Sequence, residues 1–288
     1  MLNRLISFGL RLPWLRIAVE RLQFRKLVDV WLRHFPLVRS LPETGITYRM
    51  RSLNSLGVAH DIFYQGAYDS IRPLLRDVRT AADIGSNSGF FTCFLANAAG
   101  NSAIRGLLVD ANPEMVREAK WHTDKNGLSQ MRAVQGLVGA NPDAVNEVFY
   151  VHSDAACSSC YPSSPDGIVT LTGWRPIRVP VLSLGNEWRK YFGETPCDLL
   201  KIDIEGSEAD FIQREADFVA SVRFLLLEIH HWLVDASLVE NRLVALGFEL
   251  RNSLPSLHNT DVRLYVNGQS KPAAAQVSSA ARLAHTSS

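Results

Sequence analysis

Four clusters of polar residues, each closing an apolar run, carry the side chains able to do chemistry. They are Asp83-Ile84-Gly85-Ser86-Asn87-Ser88-Gly89, Asp110 with Asn112, Asp203-Ile204-Glu205, and Glu228 with His230. The glycines of the first cluster let the backbone turn sharply and approach a ligand, because they have no Cβ. A helix starting just after them turns its free N–H groups toward whatever lies over the turn. A carboxylate such as Asp110, one strand further along, can accept hydrogen bonds from a ribose diol. Asp203, Glu205, Glu228 and His230 are the candidates for taking a proton from an acceptor hydroxyl, and His230 has an ordinary pKa near neutrality. A competing reading makes Asp203 and Glu205 loop-fixing groups that cap the next helix, and His230 a satisfied core residue.

The glycine turn and Asp110 together point to a cofactor that contains adenosine. The dinucleotide fingerprint G-x-G-x-x-G is absent; the spacing is D-x-G-x-x-x-G, with Asn87 where a middle glycine would sit. That spacing disfavours close pyrophosphate packing. S-adenosylmethionine has no phosphates and fits better: backbone N–H groups can hold its carboxylate, and acidic or carbonyl groups its ammonium. Asp203 and Glu228 could also hold a divalent metal ion, since hard cations prefer oxygen ligands, although nothing in the sequence requires one.

The elements that must position these groups alternate in type. A strand from Thr80 runs into the glycine turn, and a helix begins near Gly89, with Asn87 or Ser88 as its cap and Gly100 as its stop. Residues 104–109 read as a buried strand closing on Asp110. Asn112-Pro113 starts a helix that Lys125-Asn126-Gly127 ends. Further strands are expected at 131–138, 145–151, 178–182, 198–202 and 222–229. Ser207-Glu208-Ala209-Asp210 resembles a capping box. A helix at 238–246 precedes a closing antiparallel pair at 248–251 and 262–266. Upstream, residues 46–70 suit a strand or hairpin followed by an aromatic segment with Phe63, Tyr64 and Tyr68. Residues 152–173 read as a loop, with Cys157 and Cys160 as ordinary thiols rather than a redox or zinc pair. This alternation predicts an α/β fold whose mostly parallel sheet is covered on both faces, with ligands beyond the carboxyl ends of its strands.

The stretches DIGSNSGF, VDANPE, KIDIEGSE and LLLEIH, in this order and at these separations, resemble the FkbM family of S-adenosylmethionine-dependent methyltransferases. The resemblance covers roughly residues 46–267, and KIDIEG followed by a small residue and Glu208 is its most specific part. It implies the class I methyltransferase fold, a Rossmann-like sheet of seven strands with helices on both faces and an antiparallel last strand. The implied activity is methyl transfer from S-adenosylmethionine, commonly to hydroxyl oxygens of sugars or polyketide-like natural products. By matching position, Asp83, Gly85, Ser86, Asn87 and Gly89 would form the cofactor loop. Asp110 would hold the ribose, Asn112 would lie near the adenosine, and Gly136 and Leu137 would border the adenine. Where the family usually has Leu-Asp, this chain has Leu184-Gly185.

Composition bounds these readings. The chain has 288 residues, enough for one large domain with appendages. Eight basic residues against two acidic ones make the first forty residues net +6, leaving −5 for the rest of a chain whose total is +1. That total gives no general nucleic-acid signature. Four cysteines do not make a disulfide framework, which fits a cytoplasmic setting. We expect a basic amphipathic helical segment over 1–45, a methyltransferase domain over 46–268 and a disordered tail over 269–288. Residues 1–40 could pack on the domain as a helical cap with arginines in solvent, or lie on an anionic membrane surface. Two alternatives to a methyltransferase stay open at this level: a nicotinamide-dependent oxidoreductase on a similar sheet, and a non-catalytic binding domain that kept the fold.

Overall fold

The structure, a computed structural model, describes residues 24–100, 103–141, 143–152, 174–254 and 260–269. The expected helix ahead of residue 24, the loop holding Cys157 and Cys160, and the tail from residue 270 lie outside the described residues. Helix α1 (Phe24–His34) leads into a hairpin of β1 (Leu37–Ser40) and β2 (Thr47–Met50), then α2 (Leu53–Phe63) and the short α3 (Arg72–Leu75). The hairpin straddles the boundary expected between residues 45 and 46, so α1 leads into the following chain through a paired strand.

The alternating part follows. It comprises β3 (Thr80–Ile84), α4 (Phe90–Ala99), β4 (Arg105–Asp110), α5 (Pro113–Lys125) and β5 (Met131–Gln135). A second hairpin pairs β6 (Asn146–His152) with β7 (Trp174–Pro180), a longer strand than the 178–182 run predicts. Then come α6 (Leu184–Phe192), β8 (Leu199–Ile202), α7 (Glu208–Arg214), α8 (Ala216–Ser221), β9 (Phe224–His230), α9 (Ala236–Ala245), β10 (Phe248–Leu254) and β11 (Thr260–Asn267).

Seven strands form one sheet in the order β10-β11-β9-β8-β3-β4-β5. The strands from β5 to β9 are parallel, and β11 returns antiparallel between β9 and β10. This is the expected α/β sheet. Its central strands alternate side chains between two apolar layers. Ala81, Leu199, Phe224 and Leu226 face α2, α3 and α4, while Ala82, Leu200, Leu225 and Leu227 face α6 to α9. Both faces being covered explains why these strands read as unbroken apolar runs. Burying each such Leu or Ile stabilises the sheet by roughly 1.5–3 kcal/mol.

Two local expectations change. Neither Asn87 nor Ser88 caps α4; its N-cap is Gly89, at φ 79°, with no side-chain bond. Asn87 Oδ1 instead accepts from the Ser88 N–H and hydroxyl. Ser207 likewise makes no cap bond to α7. Glu208, the first residue of α7, turns its carboxylate toward Gly206 N–H and His230. Asn112 does cap α5, accepting from Glu114 N–H at 3.0 Å.

Candidate active site

Strand β3 ends against β8, and the turn that follows sits on the backbone of Asp203. Gly85 has φ 69°, and a Cβ there would lie 1.6 Å from the Asp203 carbonyl oxygen, so only glycine fits. Gly85 and Ser86 N–H both donate to Val109 O, which ties the turn to β4 as well. Asn87 N–H donates to Asp110 Oδ2 at 2.8 Å, and Asn112 N–H to Oδ1 at 2.7 Å. Asp110 therefore anchors the loop, and each carboxylate oxygen keeps a lone pair for a further donor. Burial outweighs these two bonds and pushes its pKa up to about 6. Gly136 N–H donates to Asp110 O, and Leu137 pairs with Val181, so both stand at the β5 end beside this carboxylate.

A histidine outside every motif holds the loop from below. His122, buried in α5, donates Nδ1–H to Ser88 O at 2.7 Å and accepts Arg49 N–H at Nε2 at 2.9 Å. Those opposite roles require the neutral ring. Burial keeps it neutral, lowering its pKa to about 4.

The proton-handling residues gather at the ends of β8 and β9. Lys201, 5% exposed, sits opposite Asp83 in register. Its Nζ lies 3.1 Å from Asp203 Oδ2 and 3.7 Å from Asp83 Oδ1. Burial disfavours the ammonium, but Asp203 and Asp83 overcome this and hold it charged. Thr92 of α4 donates to Asp83 Oδ2 at 2.9 Å. Asp83 is thus fixed from two sides beneath the glycine turn.

His230 is 2% exposed and has a carboxylate at each nitrogen. Nδ1 lies 2.6 Å from Glu208 Oε1, and Nε2 lies 3.3 Å from Glu205 Oε2 and 3.8 Å from Asp203 Oδ1. Burial acts against its charge, yet the Glu208 hydrogen bond and the charges of Glu205, Glu208 and Asp203 raise its pKa to about 10. At neutral pH it is an imidazolium that donates from both nitrogens. Burial and the nearby carboxylates, despite the attraction of His230, push Glu205 up to about 8. Burial and Asp203 push Glu228, which accepts from the Thr260 hydroxyl, up to about 7. Asp203, Glu228 and His230 place one ligand atom each within 4.8 Å of one another. A divalent cation held by these three would have to displace the imidazole proton, since metal binding and protonation compete for the same lone pair.

Asp83, Asp203, Glu205, Glu228 and His230 are therefore brought together, with Asp110 and Leu137 on the far side of the glycine turn. The sequence reading did not select Lys201, Glu208 or His122 for the site. A lysine inside the apolar run CDLLKI is the one signal that marks a buried cation. Gly185 lies in the first turn of α6, where its N–H and that of Leu184 donate to the carboxylate of Glu215. A Cβ there would lie 3.3 Å from Glu215 Oε2. The charge complementing that helix start comes from Glu215, and a second carboxylate at 185 would oppose it.

Several solved structures are similar in fold. The FkbM methyltransferase of Methylobacillus flagellatus KT is 14% identical, with 66% of this chain and 44% of that chain covered and a TM-score of 0.45. The TrmK protein of M. capricolum in complex with S-adenosyl-homocysteine is 10% identical, covering 70% of this chain and 68% of that one, TM-score 0.43. The N-terminal domain of human METTL16 with the same product is 16% identical, covering 84% and 80%, TM-score 0.40. The comparison with curated proteins gives no match. The model of the methyltransferase FkbM domain matches residues 83–250. That span begins at the carboxylate beneath the glycine turn, ends within β10 and takes in every strand end described above: this chain belongs to the FkbM methyltransferase family.

Proposed function

We propose that this chain transfers the methyl group of S-adenosylmethionine to a hydroxyl oxygen of a sugar or small natural product. One observation carries the reading. The glycine turn that would hold the cofactor rests directly on Asp203, whose carboxylate opens the cluster able to receive a proton. Among the described residues the buried Ser86 hydroxyl makes no hydrogen bond, and Asp83 Oδ1 has only the Lys201 ammonium, 3.7 Å away. In this proposal Gly85, Ser86, Asn87 and Gly89 line the cofactor with Asp83 below, Asp110 takes the ribose, and Asn112 and Leu137 flank the base.

The cofactor supplies a methyl group already activated on a sulfonium. The protein must hold the acceptor hydroxyl against a base and exclude water. Because His230 is protonated between two carboxylates, the proton goes to a carboxylate. Glu205 and Glu228, whose pKa values lie near neutrality, are the suitable bases, and Asp203 and His230 hold them in place. That carboxylate would take the hydroxyl proton as the acceptor oxygen gains the methyl group the cofactor would supply, with the thioether as leaving group. A neutral acceptor suits a site in which acidic side chains outnumber Lys201 and His230, the two basic ones.

Titration calorimetry with S-adenosylhomocysteine tests the cofactor half. The wild type should bind, and Asp110→Ala should weaken binding at least about a hundredfold, since it removes both the ribose acceptor and the anchor of Asn87. A folded wild type that ignores the compound would sink the assignment. The pH profile tests the base. Glu205 must be deprotonated to accept a proton, so turnover should climb through about pH 8 and level off above it. Glu205→Gln should flatten that limb and lower kcat by about 10²–10⁴-fold. An unchanged limb would transfer the role to Glu228.

A further inference from the structure

We propose that α1 docks the enzyme on an anionic phospholipid surface, a role independent of the methyl-transfer reading. The helix is fastened to the domain along one side. Leu32 is 1% exposed, Asp29 accepts from Leu53 N–H at 2.7 Å, and Arg33 O accepts from the Arg51 guanidinium at 2.9 Å. The opposite side is apolar and open. Leu27, Val30, Trp31 and Phe35 are 64%, 53%, 48% and 62% exposed, and Val38 of β1 extends the stripe at 45%. Their spacing places them on one helical face. The rings of Trp31 and Phe35 touch, with centroids 5.8 Å apart. The same segment carries four cations, Arg25, Lys26 and Arg33 of the helix and Arg39 of β1, against Asp29 alone.

Charge decides what covers it. The first twenty-three residues repeat the same composition, with Arg4, Arg11, Arg16 and Arg21 against Glu20. Folding them over α1, or pairing α1 with its counterpart in a second copy, would bring positive charge onto positive charge. An anionic lipid surface takes the cations in its headgroup layer and the aromatic stripe at the acyl boundary. Among the described residues no helix is long and apolar enough to cross a membrane. The body of the protein, at net −5, would be turned away from the same surface.

Co-sedimentation of the full chain tests this, using vesicles of phosphatidylcholine alone and of phosphatidylcholine mixed with phosphatidylglycerol. The wild type should bind the mixed vesicles, lose binding as salt rises, and leave the neutral ones in solution. The double variant Trp31→Ser, Phe35→Ser should bind them at least about tenfold more weakly, from lost apolar burial alone. Both side chains are exposed, so its circular dichroism and S-adenosylhomocysteine affinity should match the wild type. No sedimentation with mixed vesicles overturns the proposal. So does equal sedimentation of wild type and variant, or a wild-type dimer in light scattering that the variant abolishes.

Discussion

Lys201→Met should lower the unfolding free energy by about 3–5 kcal/mol and remove measurable turnover. The change keeps the length and apolar stem of the side chain, so it leaves no cavity. What it removes is the cation between Asp83 and Asp203, at 3.7 and 3.1 Å. Both carboxylates then share one apolar neighbourhood, and Asp83, 1% exposed, has only the Thr92 hydroxyl left. A buried anion without its counter-ion is neutralised by taking a proton or is relieved by a shift of the chain. Either result disturbs the glycine turn, because that turn sits on the Asp203 backbone. Urea unfolding gives the stability term, and calorimetry with S-adenosylhomocysteine gives the binding term. A loss under about 1 kcal/mol would show that the ammonium is dispensable. Lys201→Arg, which keeps the charge, should retain part of both.

Glu208→Gln should change how stability depends on pH. Glu208 is fully buried and makes the shortest contact to His230. With it, the folded pKa of His230 is about 10, above the ordinary value near 6.5. A histidine with a raised folded pKa contributes stability that is fully present below about pH 6.5 and is lost as pH rises through the folded value. The raised values of Glu205 and Glu228 act in the same direction, since the folded state holds their protons longer. The wild type should therefore lose several kcal/mol between about pH 6.5 and 10, on the order of 4 from His230 alone. In the variant the neutral amide no longer favours the imidazolium, and the slope should flatten. Nuclear magnetic resonance titration of the His230 ring reads its pKa directly; a value unchanged by the substitution would refute this account.

The sequence showed the frame of this site better than its wiring. Asp83, Asp110, Asp203 and Glu228 are legible because each closes an apolar run, and parallel strands deliver such ends to one edge. The glycine spacing is legible because a backbone with no Cβ has few uses. Partners across the fold are not legible, because tertiary contact has no local signature. His122 is one helical residue among thirteen in α5, and its bond to Ser88 spans thirty-four positions of sequence. Ser207 and Asp210 looked like a capping box because a short polar motif has more than one use, and only the position of β9 brings His230 to Glu208 between them. The same contact gives His230 an environment that its sequence position did not reveal. An imidazole alone is a neutral base near pH 7, whereas one between two buried carboxylates is a fixed cation.

The pairing of Asp83 with Lys201 also bears on how the chain finds its register. The two residues face each other across adjacent parallel strands, within apolar runs that would otherwise pair almost equally well one step out. A slip of one position would turn Lys201 into the opposite, apolar layer, among Leu107, Ile84 and Leu227. The cost of that misplaced charge far exceeds what the correct pair contributes. One ion pair at the centre of the sheet therefore selects a single alignment of β3 and β8, and with it the position of every strand end at the site.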